Sequence, residues 1–215
     1  PEAKDYKRVG EGDKGPNTGG MGAVSPVPFA DTAFMEKVTS RIILPTVNGL
    51  AEEKIDYRGF IFIGLIKVGD DPYVIEYNCR MGDPETEVVL PRLKNDLLDL
   101  FQAVVDQRLD QYTIEEDRRI ACTIVAVSGG YPGSYQKGLP ITGLDQLSPV
   151  DKDSLVFHAG TRPTPEGVLT NGGRVLCVTS FAETVYEAVD KSRDVLERID
   201  YDGIYYRRDI GYEFL

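Results

Sequence analysis

The chain has 215 residues, 41% hydrophobic and 27% charged, with a formal net charge of -11 at pH 7, a composition of ordinary globular proteins that fits one large domain or two small ones. Such acidity would repel a polyanion, because nucleic-acid binding draws most of its affinity from phosphate neutralisation, so long nucleic acids are excluded as partners; small anions are not, since Lys7, Arg8 and Arg80 can set the field within one cleft. The longest aliphatic stretches, such as Phe60 to Ile66, are too short to cross a bilayer, and no membrane span is expected.

At the start, Pro1 to Lys7 hold no apolar core flanked by basic residues, so no secretory signal is read there, and the missing initiator Met points to a trimmed chain or a fragment. Residues 8 to 28, RVGEGDKGPNTGGMGAVSPVP, resist helix and strand and read as an ordered functional loop. From Asp31 to Glu53 the positions Met35, Val38, Ile42, Val47 and Leu50 recur at helical spacing behind a cap at Asp31 or Thr32, with a kink or division at Pro45. GFIFIGLIKV and PYVIEYN, separated by Gly69-Asp70-Asp71, predict an antiparallel hairpin. Asp83-Pro84-Glu85 combines a capping residue, a proline for the first helical position and an acid for the helix dipole, so a helix is expected from there to about Leu109, broken near Pro91 or Asn95. Beyond the polar QYTIEEDRR the pattern becomes β-rich in RIACTIVAVSGGYPG, SLVFHAG and GRVLCVTS, with a helix over Phe181 to Ile199. A second, sheet-rich domain therefore begins at about residue 117. The tyrosines and Phe181 read as core.

Glu76-Tyr77-Asn78 carries the strongest chemical signal. Alternate side chains of a strand share a face, so Glu76 and Asn78 would project oxygen ligands together, as Mg²⁺ prefers. If the strand continues, Arg80 shares that face and can stabilise charge on phosphoryl oxygens. For an isolated pattern of this kind a solvated strand end is the commoner outcome. Gly15 to Gly22 could present N-H groups to an anion, as phosphate nests do. It is no Walker loop, lacking GK[ST], and no dinucleotide fingerprint, since no strand leads into it and the GxGxxG spacing is absent. Alone, such a loop is more often a tight turn. Asp5-Tyr6-Lys7-Arg8 places two cations beside it, with a solvated cluster as the plainer reading. Asp83 and Glu85 could contact an amine or ribose hydroxyls, although helix capping already accounts for both. His158, the sole histidine, lies in an apolar run where a satisfied core or edge residue is the usual outcome. Cys79, Cys122 and Cys177 are odd in number and widely spaced, against a disulfide framework or a CxxC metal site and in favour of a reducing cytoplasm.

Taken in order, DYKRVGEGDKGPNTGGMGAVSP, GFIFIGL, VIEYNCRMGDPETE, SGGYPGSYQKG, VFHAGT and NGGRVLCVT resemble the phosphoribosylamine glycine ligase family over nearly the whole chain. GPNTGGMGA and NCRMGDPE are far more specific than any short pattern. The resemblance implies an α+β fold: the carboxyl-terminal half of an ATP-grasp domain, antiparallel sheet with helices, over residues 1–116, then a small sheet-rich α/β domain over 117–215. It implies ATP-dependent ligation of glycine to 5-phosphoribosylamine through a glycyl phosphate, giving glycinamide ribonucleotide, ADP and phosphate in the cytoplasm. By the family's pattern Glu76 and Asn78 hold Mg²⁺ or Mn²⁺ and Arg80 faces the transferred group. Lys7 and Arg8 would neutralise phosphate, with Asp5, Asn17, Thr18, Gly19, Gly20, Asp83 and Glu85 around the substrate. Arg174 either joins them or closes a turn. Many ATP-grasp relatives carry a further acidic ligand on the preceding strand, where Gly64 stands here, twelve residues before Glu76; this disfavours a biotin carboxylase as parent. An amino-terminal partner segment of the same enzyme is expected, without which this chain should be inactive. Two rivals are another ATP-grasp carboxylate-amine ligase and a noncatalytic domain that binds a phosphorylated metabolite.

Overall fold

A computed structural model describes residues 1–147 and 152–214. The strands, in chain order, are β1 (Lys4–Asp5), β2 (Arg8–Gly10), β3 (Lys14–Asn17), β4 (Gly22–Ser25), β5 (Phe62–Val68), β6 (Asp71–Asn78), β7 (Ile120–Val127), β8 (Pro140–Ile141), β9 (Ser154–His158), β10 (Thr161–Thr164), β11 (Gly167–Thr170) and β12 (Arg174–Ala182). The α-helices are α1 (Thr32–Val38), α2 (Leu44–Glu52), α3 (Thr86–Arg92), α4 (Leu97–Val105) and α5 (Val185–Leu196). None of the described helices is long and apolar enough to cross a membrane. The mixture of antiparallel sheets and helices is the α+β class expected.

The chain forms two compact units. The first gathers Pro1–Pro26, Asp83–Arg92 and Asp117–Leu215; the second gathers Val27–Gly82 and Leu93–Glu116. Asp117 opens the last segment of the first unit, and the units are not linear segments, because β4 pairs with β7 across almost a hundred residues of sequence, Ala23 facing Thr123.

An antiparallel sheet in the order β1-β4-β7-β12-β9 organises the first unit. Its central strand β7 is buried at every residue from Ala121 to Val127, which is why the sequence reads as a continuous apolar run and not an alternating one. Cys122, Ile124 and Ala126 point into a core completed by Leu176, Val178 and the α5 residues Val185, Ala188, Val189 and Leu196. The intervening Val125 and Val127 join Met21 and Cys177 on the other face. α5 begins at Val185, behind a Thr184 hydroxyl that accepts from Glu187 N at 3.2 Å. Phe181 and Ala182, expected within that helix, are the end of β12, because they still pair with Ala121 and Ile120.

Three further expectations are corrected. The glycine-rich stretch is not structureless loop: β2 and β3 form a hairpin inside it, and β4 lies in the main sheet. A strand therefore does lead into the loop, although a strand and not a helix follows. At Gly22 the missing side chain is what permits this, since a Cβ would stand 2.7 Å from Thr123 O. The helix expected from Pro84 starts at Thr86, and its break spans residues 93–96, after which Asp96 Oδ1 caps α4 by accepting from Leu98 N at 2.9 Å and Asp99 N at 3.2 Å. Tyr6 and Tyr201 are core, but Tyr73, Tyr77, Tyr186, Tyr205 and Tyr212 are exposed.

In the second unit Asp31 caps α1, accepting from Phe34 N at 2.8 Å. α1 and α2 are joined by a π-helical turn, Thr39–Ile43, ending just before Pro45. Pro45 cannot donate to the residue a turn earlier, and the wider turn absorbs that lost bond instead of a chain break. β5 and β6 form the expected hairpin about Gly69-Asp70. Asp71 Oδ1 receives Lys37 Nζ at 3.0 Å and Arg41 Nη1 at 2.8 Å, tying the hairpin to the helical run.

Candidate active-site residues

Each unit presents its own group of the residues singled out by sequence. In the second unit, β6 brings Glu76 and Asn78 to one side of the hairpin, where Asn78 Nδ2 donates to Glu76 Oε1 at 3.1 Å. The bulge between Gly64 and Leu65 lets Gly64 pair directly with Glu76, while Asn78 pairs with Phe62. A Cβ at Gly64 would stand 3.0 Å from Glu76 Cγ, so Gly64 lies squarely opposite that carboxylate. β6 ends at Asn78, so Arg80 does not follow on the strand: it sits in a bend and donates to Met81 O at 3.1 Å.

The pair suits a hard divalent cation in one specific way. Amide oxygen and nitrogen are assigned from their hydrogen bonds, and turning the Asn78 amide over would set Oδ1 beside Glu76 Oε1 as a two-oxygen ligand set. Among the described residues no group of three or more His, Cys, Asp or Glu side chains could hold a metal. An ion at Glu76 and Asn78 would take its remaining ligands from water and phosphate, the usual habit of Mg²⁺.

In the first unit the residues fall into two clusters. Asp5 Oδ2 is buried and has Lys7 Nζ at 2.5 Å as its counter-charge, so Lys7 serves a carboxylate of its own chain. Glu85 is 7% exposed, and its Oε2 makes no hydrogen bond among the described residues. Burial raises its pKa, the nearby Asp5 charge adds to that, and Lys7 opposes it. Arg8 Nη1 donates to Gly15 O at 2.8 Å, within the β2-β3 hairpin. The hairpin itself is anchored by Arg207, wholly buried, which donates to Asp13 Oδ1 at 2.7 Å, Asp209 Oδ1 at 2.8 Å and Arg8 O at 3.2 Å.

The second cluster joins Asp83, Arg174 and the glycine loop. Asp83 is not the helix cap expected: its Oδ2 accepts Arg174 Nη2 at 2.8 Å and its backbone oxygen accepts Nη1 at 3.1 Å. Thr18 N donates to Lys7 O at 2.7 Å, Gly19 N to Tyr131 Oη at 3.0 Å, Gly20 N to Thr18 Oγ1 at 2.9 Å and Met21 N to Tyr6 O at 2.8 Å, so all four successive donors are committed inside the protein. Asn17 ends β3, exposed, opposite Arg8. Next to Asp83, Glu87 has its pKa raised by burial and by the Asp83 charge, with Arg174 opposing.

Sequence reasoning missed Tyr131 and Glu87. Tyr131 lies in SGGYPGSYQKG, and nothing local announces that its hydroxyl reaches Gly19, 112 positions away. His158 is an exposed residue at the end of edge strand β9, with Nδ1 3.0 Å from Thr161 Oγ1. Cys122 and Cys177 are buried and free, their thiol pKa values pushed up by burial, and Cys79 is free and exposed.

Residues 1–86 match the ATP-grasp (A) domain of phosphoribosylglycinamide synthetase, and residues 121–213 match the C domain of the same enzyme. The chain is 45% identical over 211 residues to a phosphoribosylamine--glycine ligase of Vibrio parahaemolyticus, covering 98% of this chain and 49% of that protein. It is 47% identical over 215 residues to the Synechocystis ligase of the same name, covering 99% of this chain and 51% of that one. The crystal structure of phosphoribosylamine--glycine ligase from Thermotoga maritima superposes with a TM-score of 0.80 at 36% identity, over 96% of this chain and 50% of that one. A biotin carboxylase domain from Hydrogenobacter thermophilus 2-oxoglutarate carboxylase shares the fold, with a TM-score of 0.59 at 16% identity over 86% of this chain and 40% of that one. The chain spans about half the length of the curated relatives it matches.

Proposed function

Since the chain belongs to the phosphoribosylglycinamide synthetase family, we propose that it is the carboxyl-terminal portion of a ligase that uses ATP to join glycine to 5-phosphoribosylamine in the cytoplasm. The reading divides the longer enzyme into an ATP-grasp part ending at residue 116 and a carboxyl-terminal domain from 117. Glycyl phosphate forms first, the amine then displaces phosphate, and glycinamide ribonucleotide, ADP and phosphate leave.

The observation that carries this reading is the Glu76 and Asn78 pair, side by side on β6. Mg²⁺ or Mn²⁺ held there supplies Lewis-acid neutralisation of the nucleotide's phosphate charge. Arg80, freed from Met81 O, is the cation for the transferred group. Lys7, Arg8, Asp5, Asn17, Thr18, Gly19, Gly20, Asp83 and Glu85 belong to the substrate side, where polar side chains and loop shape, rather than free backbone donors, select the ligand.

A second feature supports the need for more polypeptide. Among the described residues β5 and β6 form a two-stranded sheet, and Ile66, Val68, Tyr73, Ile75 and Tyr77 are all at least 49% exposed on it. Exposed apolar side chains clustered on one hairpin suit an interaction site, and the remaining segment of the longer enzyme is the proposed occupant. Alone, the chain is inactive.

In the complete polypeptide, Glu76→Gln should lower glycinamide ribonucleotide formation by at least about 100-fold, the upper end of what even outer-shell changes cost a metal site, with an unchanged circular dichroism spectrum. Near-normal turnover in that variant would remove the metal role. Preference for alanine over glycine in the wild type would favour another carboxylate-amine ligase; phosphometabolite binding without ATP turnover would favour the noncatalytic domain.

A further inference from the structure

The backbone that carries Arg174 is unusually constrained. β12 has a bulge between Arg174 and Leu176, where Arg174 pairs with Val127 and Leu176 with Ala126, and a bulge re-aims the side chain beside it. Ser128 N donates to Gly173 O and Ser128 Oγ to Gly172 O, both at 2.8 Å, while Gly160 N donates to Arg174 O at 2.9 Å. The Tyr131 ring lies on Gly173 so closely that a Cβ there would stand 2.3 Å from it. One pedestal therefore carries both Tyr131 and Arg174.

Both side chains end on the same short loop. Tyr131 Oη accepts the Gly19 N-H at 3.0 Å, and a Cβ on Gly19 would stand 2.8 Å from Arg174 Cζ, so the guanidinium lies flat against that glycine. From there Arg174 donates twice to Asp83, at 2.8 and 3.1 Å. Pro84 closes the arrangement: a Cβ on Gly20, whose φ is +128°, would stand 2.3 Å from Pro84 Cδ. The Arg174 charge also sits where Asp83 and Glu87 bring two carboxylates together.

We propose that Arg174 is a positioning residue: braced by Tyr131, it staples the Gly19-Gly20 loop to Asp83 and so holds both walls of the substrate side in one register, without itself receiving the ligand. A lysine cannot replace it, because one ammonium cannot lie flat on Gly19 and donate in a fork to Asp83. The staple consists of these hydrogen bonds and contacts; its consequence for catalysis rests on the ligase reading.

The two are separated by two measurements. In the 215-residue chain, amide hydrogen exchange of Gly19 and Gly20 should quicken about tenfold or more in Arg174→Ala and in Arg174→Lys, and less in Asp83→Asn, which keeps the backbone acceptor, while β7 and β12 keep their protection. Unchanged loop exchange, or acceleration spread equally over β7 and β12, would overturn the staple. In the complete ligase, Arg174→Ala should raise the KM for phosphoribosylamine about tenfold, with kcat within about threefold and the KM for ATP unchanged. A fall in kcat alone, or equal changes for both substrates, would overturn the positioning role. A wild type that does not ligate glycine to phosphoribosylamine defeats the functional reading, and the exchange data still decide whether the staple exists.

Discussion

The two units bury apolar residues to very different degrees. In the first, a five-stranded sheet is covered on both faces, and Ile124, Val125, Leu176 and Val178 are completely inaccessible. In the second, the buried apolar residues among those described include Val27, Phe34, Val38, Ile42, Pro72, Leu100 and Ala103. Leu155, Tyr186, Tyr205 and Tyr212 apart, every large apolar side chain that is exposed among the described residues belongs to the second unit. One unit is held by its own core, whereas a two-stranded hairpin of this kind is marginal until something packs on it. The proposed metal ligands Glu76 and Asn78 stand on that hairpin, while the residues proposed for the substrate side stand against the buried core of the first unit.

Core truncation tests that contrast with the largest effect. Leu176→Ala should cost about 2–5 kcal/mol in urea unfolding, as buried leucines do, and Ile75→Ala, 64% exposed on β6, should cost no more than about 0.5 kcal/mol in the same chain. A comparable loss at Ile75 would mean that the hairpin is already part of a packed core.

A smaller effect sharpens the picture of the first unit. Burial, then Asp5, raises the Glu85 pKa, so between its ordinary value of about 4.3 and the raised one the folded state binds more protons than the unfolded state. Stability contributed by the neutral carboxyl is therefore full below that window and falls as pH rises through it. Glu85→Gln should flatten this fall and leave the variant at least as stable as wild type at pH 7, read from urea midpoints across pH 4 to 7. A marked loss at pH 7 would show that the ionised Glu85 is needed by Lys7.

Legibility in the sequence followed the range of the interactions. The hairpin and the Asp31 cap rest on local period and turn chemistry, the α+β class on the family resemblance, and the shared face of Glu76 and Asn78 on strand alternation. What could not be read depends on distant partners. Asp83 looks like a cap until Arg174 takes its carboxylate; Gly22 looks like loop until Thr123 provides a strand to pair with; Tyr131 is silent until Gly19 arrives. β6 ends at Asn78, so the condition under which Arg80 would share the face of Glu76 is not met, at a boundary that no periodicity marks.

The most direct measurement is Mn²⁺ affinity in the presence of ADP, followed by electron paramagnetic resonance of the free ion in the complete ligase and its Glu76→Gln variant. The variant should bind at least about tenfold more weakly, within the range that metal-site substitutions produce, and equal affinity would place the ion elsewhere.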